Sequence, residues 1–337
     1  MSIERVFGHP RRVLLVDAAF ADHVAHDRGA VDVVQIDENG NVREPHFDTI
    51  VFGRSARRVA ELAKLLEDGG HVIAPARERA ALESAGLEML AGNSELALAR
   101  RRPEKKKLSL TVGMISMNEE NAVGKVIDDI MHHAPGAEVL LVDSSKDKTP
   151  EIATERGARV IRQFPPKGYG PAMHRLLYET TTDVIVTMDC DGTYPADRIQ
   201  ELHRMIEDGA DLVNATRTRH RPDAMPFPNF IANRVFAASA FVLHGLPTTD
   251  VHSGMRAYRT SMLRGFHCDP KGPALPVDLL VVPARVGYRV IEVEIEYFVR
   301  VGETTLHRFD STKWTFKRLL RSAQDGARVK RANWSTR

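Results

Sequence analysis

Short apolar runs alternate with amphipathic stretches along almost the whole chain, and the alternation changes scale near residue 108. Between 11 and 92 the runs RVLLVD (12–17), VDVVQID (31–37), DTIVFG (48–53), HVIAP (71–75) and LEML (87–90) are each short enough for a strand. SARRVAELAKLLEDGG (55–70) repeats its apolar positions at helical spacing and stops on glycine, which predicts an amphipathic helix. Strand runs alternating with a helical pattern predict a small parallel, Rossmann-like layer over residues 1–100. NSELALARRRPEKKK (93–107) gathers charge and a proline between two apolar periods and reads as a linker, with its basic part at 101–107.

From 108 a longer alternation begins. LSLTVGMIS, AEVLLVD, ARVIRQ and DVIVTMD read as strands, and EENAVGKVIDDIMHHA, TPEIATERG and GPAMHRLLYETT as the helices between them. The order predicts an α/β fold with a mainly parallel sheet covered on both faces. Ligands of such sheets sit beyond the carboxyl ends of the strands. Those ends carry Ser116-Met117-Asn118-Glu119, Asp143-Ser144-Ser145 and Asp189-Cys190-Asp191, so three polar, acid-bearing ends face one crevice.

Composition narrows the class without naming a reaction. The chain has 337 residues, 43% hydrophobic and 27% charged, as an ordinary soluble protein does, and its length predicts two domains or one large domain with an appendage. A formal net charge of +2 gives no global case for nucleic acid. Two cysteines, Cys190 and Cys268, make neither a disulfide framework nor a four-cysteine zinc site. No apolar stretch approaches membrane-spanning length, and the expectation is a soluble cytoplasmic protein.

In extended chain Asp189 and Asp191 point to one face while Cys190 points away. Two hard oxygen ligands with open positions suit Mg²⁺ or Mn²⁺, whose remaining places go to water and substrate phosphates. The competing role, capping the helix at Pro195-Ala196-Asp197, fits Thr193 or Tyr194, but Asp189 lies too far upstream for it. Asp143 can accept N–H bonds from a nucleobase edge, while Ser144, Ser145 and Thr149 suit capping of the next helix. Lys167-Gly168-Tyr169-Gly170 opens a helix, where backbone N–H groups can meet an anion or form a plain turn.

Taken in order, these segments resemble the family 2 glycosyltransferases of GT-A fold, in the branch of dolichyl- and polyprenyl-phosphate sugar transferases. The resemblance covers residues 108–310 and rests on Asn118-Glu119-Glu120, LLVDSSKDKTPEIA, KGYGPA, MDCDGTYPAD, DVHSGMRAYR and VRVGETTL. It implies inverting transfer of a sugar from a nucleotide-diphosphate donor, GDP-mannose or a UDP-hexose, to a polyprenyl phosphate. It assigns Asp143 to the base, Ser116, Met117 and Glu119 to the nucleoside pocket, and Asp189, Asp191 and Thr193 to the metal and diphosphate. Lys167, Gly168 and the backbone of Cys190 join the nucleotide contacts. Arg217, Arg256 and Arg300 become candidates for neutralising phosphate, for which a planar guanidinium fork is suited. A phosphate acceptor needs no general base, whereas a hydroxyl acceptor does. For that alternative Asp278, an acid inside the apolar helical run LPVDLLVV, is the candidate base.

Within the first 100 residues, HFDTIVFG…LAKLLEDGGHVIAP resembles the later half of a SAM-dependent methyltransferase domain. Its first strand runs into Asp17-Ala18-Ala19-Phe20 without the Gly-x-Gly that admits a cofactor, which points to a degenerate, non-catalytic domain. At the other end, Phe316, Leu319, Leu320 and Ala323 fall at helical spacing among lysines and arginines. Such a basic amphipathic helix over 311–337 suits either docking on the enzyme or contact with an anionic membrane surface through 313–331. Two other classes share the strand-end acids: a nucleotidyltransferase, which would carry a Gly-rich basic loop where Ser-Met-Asn-Glu-Glu stands, and a non-catalytic nucleotide-sugar-binding module.

Overall fold

A computed structural model describes residues 12–18, 32–37, 39–40, 42, 46–92, 94–103, 107–301, 308–323 and 334–336. The chain forms two compact units, Met1–Lys105 with Ser261–Cys268, and Lys106–Thr260 with Asp269–Arg337.

The first unit is a mixed sheet of β1 (Arg12–Val16), β2 (Asp32–Ile36), β3 (Phe47–Phe52), β4 (Leu66–Pro75), β5 (Glu88–Gly92) and β6 (Leu96–Arg100), in the order β2-β1-β3-β4-β6-β5. The first four pair in parallel, and β6 runs antiparallel to both β4 and β5. Two expectations are corrected here. The helix predicted through residue 70 is only α1 (Val59–Leu62) and a 3₁₀ turn, because Leu66 already pairs with Phe47 and the chain continues as strand through the glycine pair to Pro75. Leu96–Arg100, read as linker, is a strand whose Ala97, Leu98 and Ala99 are buried, so the layer is not purely parallel. The helix α2 (Arg79–Ser84) packs Leu82 into a core with Leu14, Phe47, Ile50 and Phe52.

In doubly wound sheets the crevice lies where neighbouring connections diverge, here between β1 and β3. Those ends meet backbone to backbone. A Cβ on Gly53 would stand 1.8 Å from the Asp17 carbonyl oxygen, and Asp17 itself has φ 46°. Among the described residues, the two strands continue their pairing to Gly53, whose N–H donates to the Val16 carbonyl at 2.9 Å.

The second unit is built on β7 (Leu110–Ser116), β8 (Glu138–Asp143), β9 (Arg159–Arg162), β10 (Val184–Thr187), β11 (Leu212–Thr216), β12 (Arg256–Arg259), β13 (Val290–Glu294) and β14 (Trp334–Thr336). Their order is β14-β13-β11-β12-β10-β7-β8-β9, parallel except for β12, which opposes both neighbours. The helices are α3 (Val123–His133), α4 (Thr149–Glu155), α5 (Tyr169–Glu179), α6 (Ile199–Glu207), α7 (Phe227–His244), α9 (Leu275–Val286) and α10 (Arg308–Ala323), while α8 (Thr260–Arg264) falls in the segment Ser261–Cys268 of the first unit but for its first residue. Both α7 and α9 stop on a glycine in the left-handed region, Gly245 and Gly287, where a side chain would be strained. Val112, Met114, Ile127, Leu141, Val186 and Val213 fill the layer between sheet and helices.

The C-terminal segment docks on its own unit through α10, where Thr315, Arg318, Leu319 and Ser322 are buried. Phe316 meets Phe236 of α7 edge-on at 5.3 Å, and His244 Nε2 lies 3.0 Å from the Leu319 carbonyl. Its exposed positions include Lys313, Lys317, Leu320 and Arg321. Residues 324–331, the rest of the expected basic tail contact, lie outside the described residues.

Candidate active site

Register places the site. Ser116, Asp143 and Arg162 are paired neighbours at the carboxyl edge of β7, β8 and β9, so three polar side chains line up where the sheet ends. Asp143 is fully buried. Its Oδ1 accepts from the hydroxyls of Ser116 (2.6 Å) and Ser145 (2.5 Å), and its Oδ2 from the Ser145 N–H (3.1 Å) and Arg162 Nη1. Arg162 also donates to the Ser145 carbonyl at 2.8 Å. Of these donors only the Arg162 side chain is substantially exposed, at 44%. A ligand that reads Asp143 therefore meets Arg162 first. A cation at a strand end looks like an ordinary solvated residue in the sequence; the signal was its register opposite Asp143.

The loops after β7 and β8 hold each other. Asn118 takes φ 61°, and its Oδ1 accepts from the Lys146 N–H while its own N–H donates to Ser145 Oγ. Glu119 N–H donates to Thr149 Oγ1 and Glu120 N–H to Asp147 Oδ2, while Lys148 N–H donates to Glu120 Oε2. Asp147, unassigned from the sequence, thus ties the loops together and accepts from Thr149 at the start of α4. Met117 stands 37% exposed at the rim.

After β10 the chain turns into the acid pair. Asp191 is buried, with Oδ1 accepting from the N–H (3.0 Å) and hydroxyl (2.6 Å) of Thr193, and Oδ2 from Arg300 Nη1 (2.8 Å). The other arm of Arg300 donates to Glu119 Oε1, so one guanidinium bridges the ends of β7 and β10. Val301 N–H donates to the Asp191 carbonyl and Phe298 N–H to that of Thr193, which fixes segment 298–301 along the acid loop. Asp189 has no hydrogen-bond donor among the described residues. Burial, and then the charge of Asp191, push its carboxyl up to about 6, against the pull of Arg217 and Arg300. Burial pushes Glu119 up to about 7, with Arg300 pulling the other way. Gly254 lies against Asp189: a Cβ there would stand 3.0 Å from both carboxylate oxygens. Its N–H donates to Tyr194 Oη at 2.7 Å.

Several expected roles change. Thr193, expected beside a metal, directs both its donors at Asp191 and acts as that residue's support. Glu119, expected in the nucleoside pocket, pairs with Arg300 in the acid cluster. Arg256 is 1% exposed, and its three nitrogens bond Asn214 Oδ1 and the carbonyls of Pro276 and Val251. It braces β12 and the start of α9 and has no arm left for phosphate. Arg217 forms a two-point buried ion pair with Asp250 (2.8 and 3.1 Å) and lies over the rings of Tyr194 and Tyr297. Burial raises Asp250, but Arg217 outweighs it and holds the carboxyl below its usual range. Asp278 accepts from Arg318 (2.6 Å) and Ser322 (3.2 Å) in the buried seam between α9 and α10. That is the setting of a structural ion pair for the residue expected as general base. Cys190 packs inward with its thiol 3.4 Å from the Ile115 carbonyl. Lys167 is exposed, and Gly168 with φ 94° precedes α5. Residues 302–306 of VRVGETTL lie outside the described residues.

A cleft of about 400 Å³ opens beside the acid loop, with Lys125, His133, Tyr194, Phe298 and Val301 among its walls. It includes neither Asp189 nor Asp191, and the chemistry points to the carboxylates as the site.

An acid-ended parallel sheet with one antiparallel strand is the architecture of the GT-A fold. A model of the family "Glycosyl transferase family 2" matches residues 111–266. A dolichyl-phosphate hexose transferase of Haloferax volcanii is 42% identical over 201 residues, covering 59% of this chain and 87% of that one. An undecaprenyl-phosphate mannosyltransferase of Micrococcus luteus is 30% identical over 204 residues, covering 56% and 84%. The crystal structure of mannosyl-3-phosphoglycerate synthase from Rubrobacter xylanophilus superposes with TM-score 0.50 at 19% identity, over 66% of this chain and 76% of that one, and shares the fold. The chain belongs to glycosyltransferase family 2.

Proposed function

We propose that the chain transfers a hexose from a nucleoside-diphosphate donor to a polyprenyl phosphate with the help of a divalent cation. The observation that carries the cation is the half-buried Asp189 carboxylate without a donor among the described residues, beside an Asp191 already paired to a cation, Arg300. The charge of Asp191 raises the Asp189 carboxyl, so the pair favours a positive charge beside it. The donor set is oxygen only, which suits Mg²⁺ or Mn²⁺. The acceptor class rests on the names of the Haloferax and Micrococcus relatives.

When bound at Asp189 and Asp191, such an ion supplies Lewis-acid stabilisation of charge on the departing diphosphate. The chain's own residues do the rest. Asp143, held rigid by Ser116 and Ser145, presents its carboxylate to the nucleobase once Arg162 swings aside. Thr193 and Gly254 keep the two acid side chains in place. Arg300, held through Glu119, stands beside the diphosphate as a second cation. An oxygen of the acceptor phosphate attacks the anomeric carbon. The bond from that carbon to the donor's β-phosphate oxygen breaks, and the nucleoside diphosphate leaves with inversion of configuration. The attacking oxygen is already anionic, so no base is required. A hydroxyl acceptor would need one, and the commitment of Asp278 to Arg318 disfavours that reading.

The test offers the full chain radiolabelled GDP-mannose, UDP-glucose and UDP-galactose, with polyprenyl phosphate in detergent. Label should enter the organic phase only with Mg²⁺ or Mn²⁺. Transfer undiminished by EDTA would remove the cation from the reading. Transfer confined to water-soluble saccharides would remove the lipid acceptor.

A further inference from the structure

Sequence alone offers Tyr194 as a helix cap. In the structure the turn after it starts beyond Pro195 without a side-chain cap, and the tyrosine packs inward, 4% exposed. Its ring is held on two sides. Tyr297 meets it edge-on at 5.8 Å, and the Arg217 guanidinium, pinned by Asp250, stands 5.8 Å from its centroid. The hydroxyl oxygen accepts from the Gly254 N–H at 2.7 Å, a bond that leaves the phenolic proton to be donated elsewhere. That proton has no acceptor among the described residues. Burial pushes the phenol well above its usual range, so the oxygen keeps its proton.

The surroundings of Gly254 locate what the proton faces. A Cβ there would stand 3.0 Å from each Asp189 oxygen and 3.1 Å from Tyr194 Oη, so three oxygens converge over one glycine. Asp189 has no donor among the described residues. Gly254 lies outside the left-handed region, and its backbone does not call for glycine; what glycine supplies there is room. Its carbonyl accepts from Thr187 Oγ1 at 2.9 Å, which fixes the gap against the strand that leads to Asp189. Gly254 and Asp189 are both partly exposed, so the gap is open to a ligand.

Chemistry selects the occupant. The gap sets an anionic acceptor beside a neutral donor. A phosphate or carboxylate would be repelled by Asp189. An ammonium can donate to Asp189 but cannot accept from Tyr194. An alcohol does both.

We propose that Asp189, Tyr194 and Gly254 form a subsite for one sugar hydroxyl of the nucleotide donor, with Tyr194 as the residue that selects for it. The hydroxyl donates to one Asp189 oxygen and accepts from Tyr194, and the other Asp189 oxygen is left for the cation. The subsite rests on the donor reading above. Hexose and ribose both carry such hydroxyls, and the test separates them.

Binding of UDP, GDP, UDP-glucose, UDP-galactose and GDP-mannose to the full chain is measured by calorimetry with Mn²⁺ and no acceptor. Single-deoxy forms of the nucleotide sugar that binds best, at each hexose hydroxyl and at the ribose 2′ and 3′ positions, are then compared. One of them should bind wild type about tenfold more weakly, as expected for one lost hydrogen bond to a charged group. Tyr194→Phe keeps the ring and its packing. It should bind the parent compound about tenfold more weakly and lose most of its discrimination against that same deoxy form, since the two changes remove one interaction. For a hexose hydroxyl the variant should bind the free nucleoside diphosphate as wild type does; for a ribose hydroxyl that binding should fall as well. Gly254→Ala fills the gap and reports the same loss of discrimination should Tyr194→Phe unfold, with melting temperature as the control. Full discrimination in folded Tyr194→Phe overturns the subsite alone, as does a deoxy series that wild type binds evenly. Wild type that binds none of the five nucleotides overturns the donor reading and the subsite together.

Discussion

The two units are built on the same plan and end differently. In each, parallel strands are laid down by apolar runs of five to seven residues. In the first unit the two strand ends at the point of divergence meet at Gly53 and Asp17, where the backbones stand too close for a Cβ on Gly53. In the second the corresponding edge carries Ser116, Asp143, Asp189 and Asp191, with Gly254 letting a backbone come close without filling the space. The sheet supplies only a place; whether it becomes a site depends on which groups the strand ends hold and what is kept out of the gap.

Exchanging one acid at each strand end is the strongest way to break that contrast. Asp191→Asn should reduce transfer by about a thousandfold, because it removes charge that acts on the departing diphosphate. Asp17→Asn should leave turnover as it is, asparagine tolerating the same positive φ. Comparable losses in the two variants would end the distinction between the two strand ends.

Next in size is the seam that holds α10. Removing Arg318 as Arg318→Met leaves the Asp278 carboxylate buried without its ion-pair partner, at an expected cost of about 3–5 kcal/mol by chemical denaturation. Asp278→Asn should lower stability by a smaller amount while leaving kcat within a few-fold of wild type. A kcat collapse at unchanged stability would restore the general base.

Glycines sharpen the contrast further, since one substitution should read out differently in each unit. Gly254→Ala presses on both Asp189 oxygens and should cost about a hundredfold in kcat/KM through misplacement of that carboxylate. Gly53→Ala drives a methyl group into the Asp17 carbonyl and should cost about 1–3 kcal/mol of stability with little effect on turnover of the folded fraction.

The smallest effect is a pH slope in the first unit. Burial, with Arg100 and Arg264 adding to it, pushes His71 down to about 3. The folded form stays neutral where the unfolded chain, with an ordinary imidazole near 6.5, binds a proton. Stability from this residue is therefore complete above about pH 6.5 and falls below it, by up to about 1.4 kcal/mol per pH unit, until the folded pKa is reached. Denaturant titrations of wild type and His71→Leu between pH 7 and 5 should show the slope in the first and its loss in the second.

Much of the second unit could be read from the chain, because the runs that lead to Ser116, Asp143 and Asp189 are mostly apolar and end abruptly in acid or serine. What the sequence hid was of another kind. Leu96–Arg100 alternates leucine and alanine beside a basic run, so the charge that follows it masks a strand. Arg256 looked functional through the resemblance and Asp278 because an acid is expensive to bury in an apolar run; the structure shows these charges met by Asn214, two carbonyls and Arg318. Arg162 looked ordinary, and only its register opposite Asp143 sets it apart. Partners distant in sequence settle all of these, and local pattern carries no record of them.

The five bonds that lace Asn118–Glu120 to Ser145–Thr149 also bear on redesign and on evolution. Each loop supplies acceptors for the other's N–H groups, so neither can be replaced alone without stranding donors on its partner. Donor preference in this enzyme should therefore be inherited as a paired cassette. A graft that changes which base is accepted has to carry both lips of the pocket, and substitutions at Asn118 and Ser145 should appear together among descendants of this sequence.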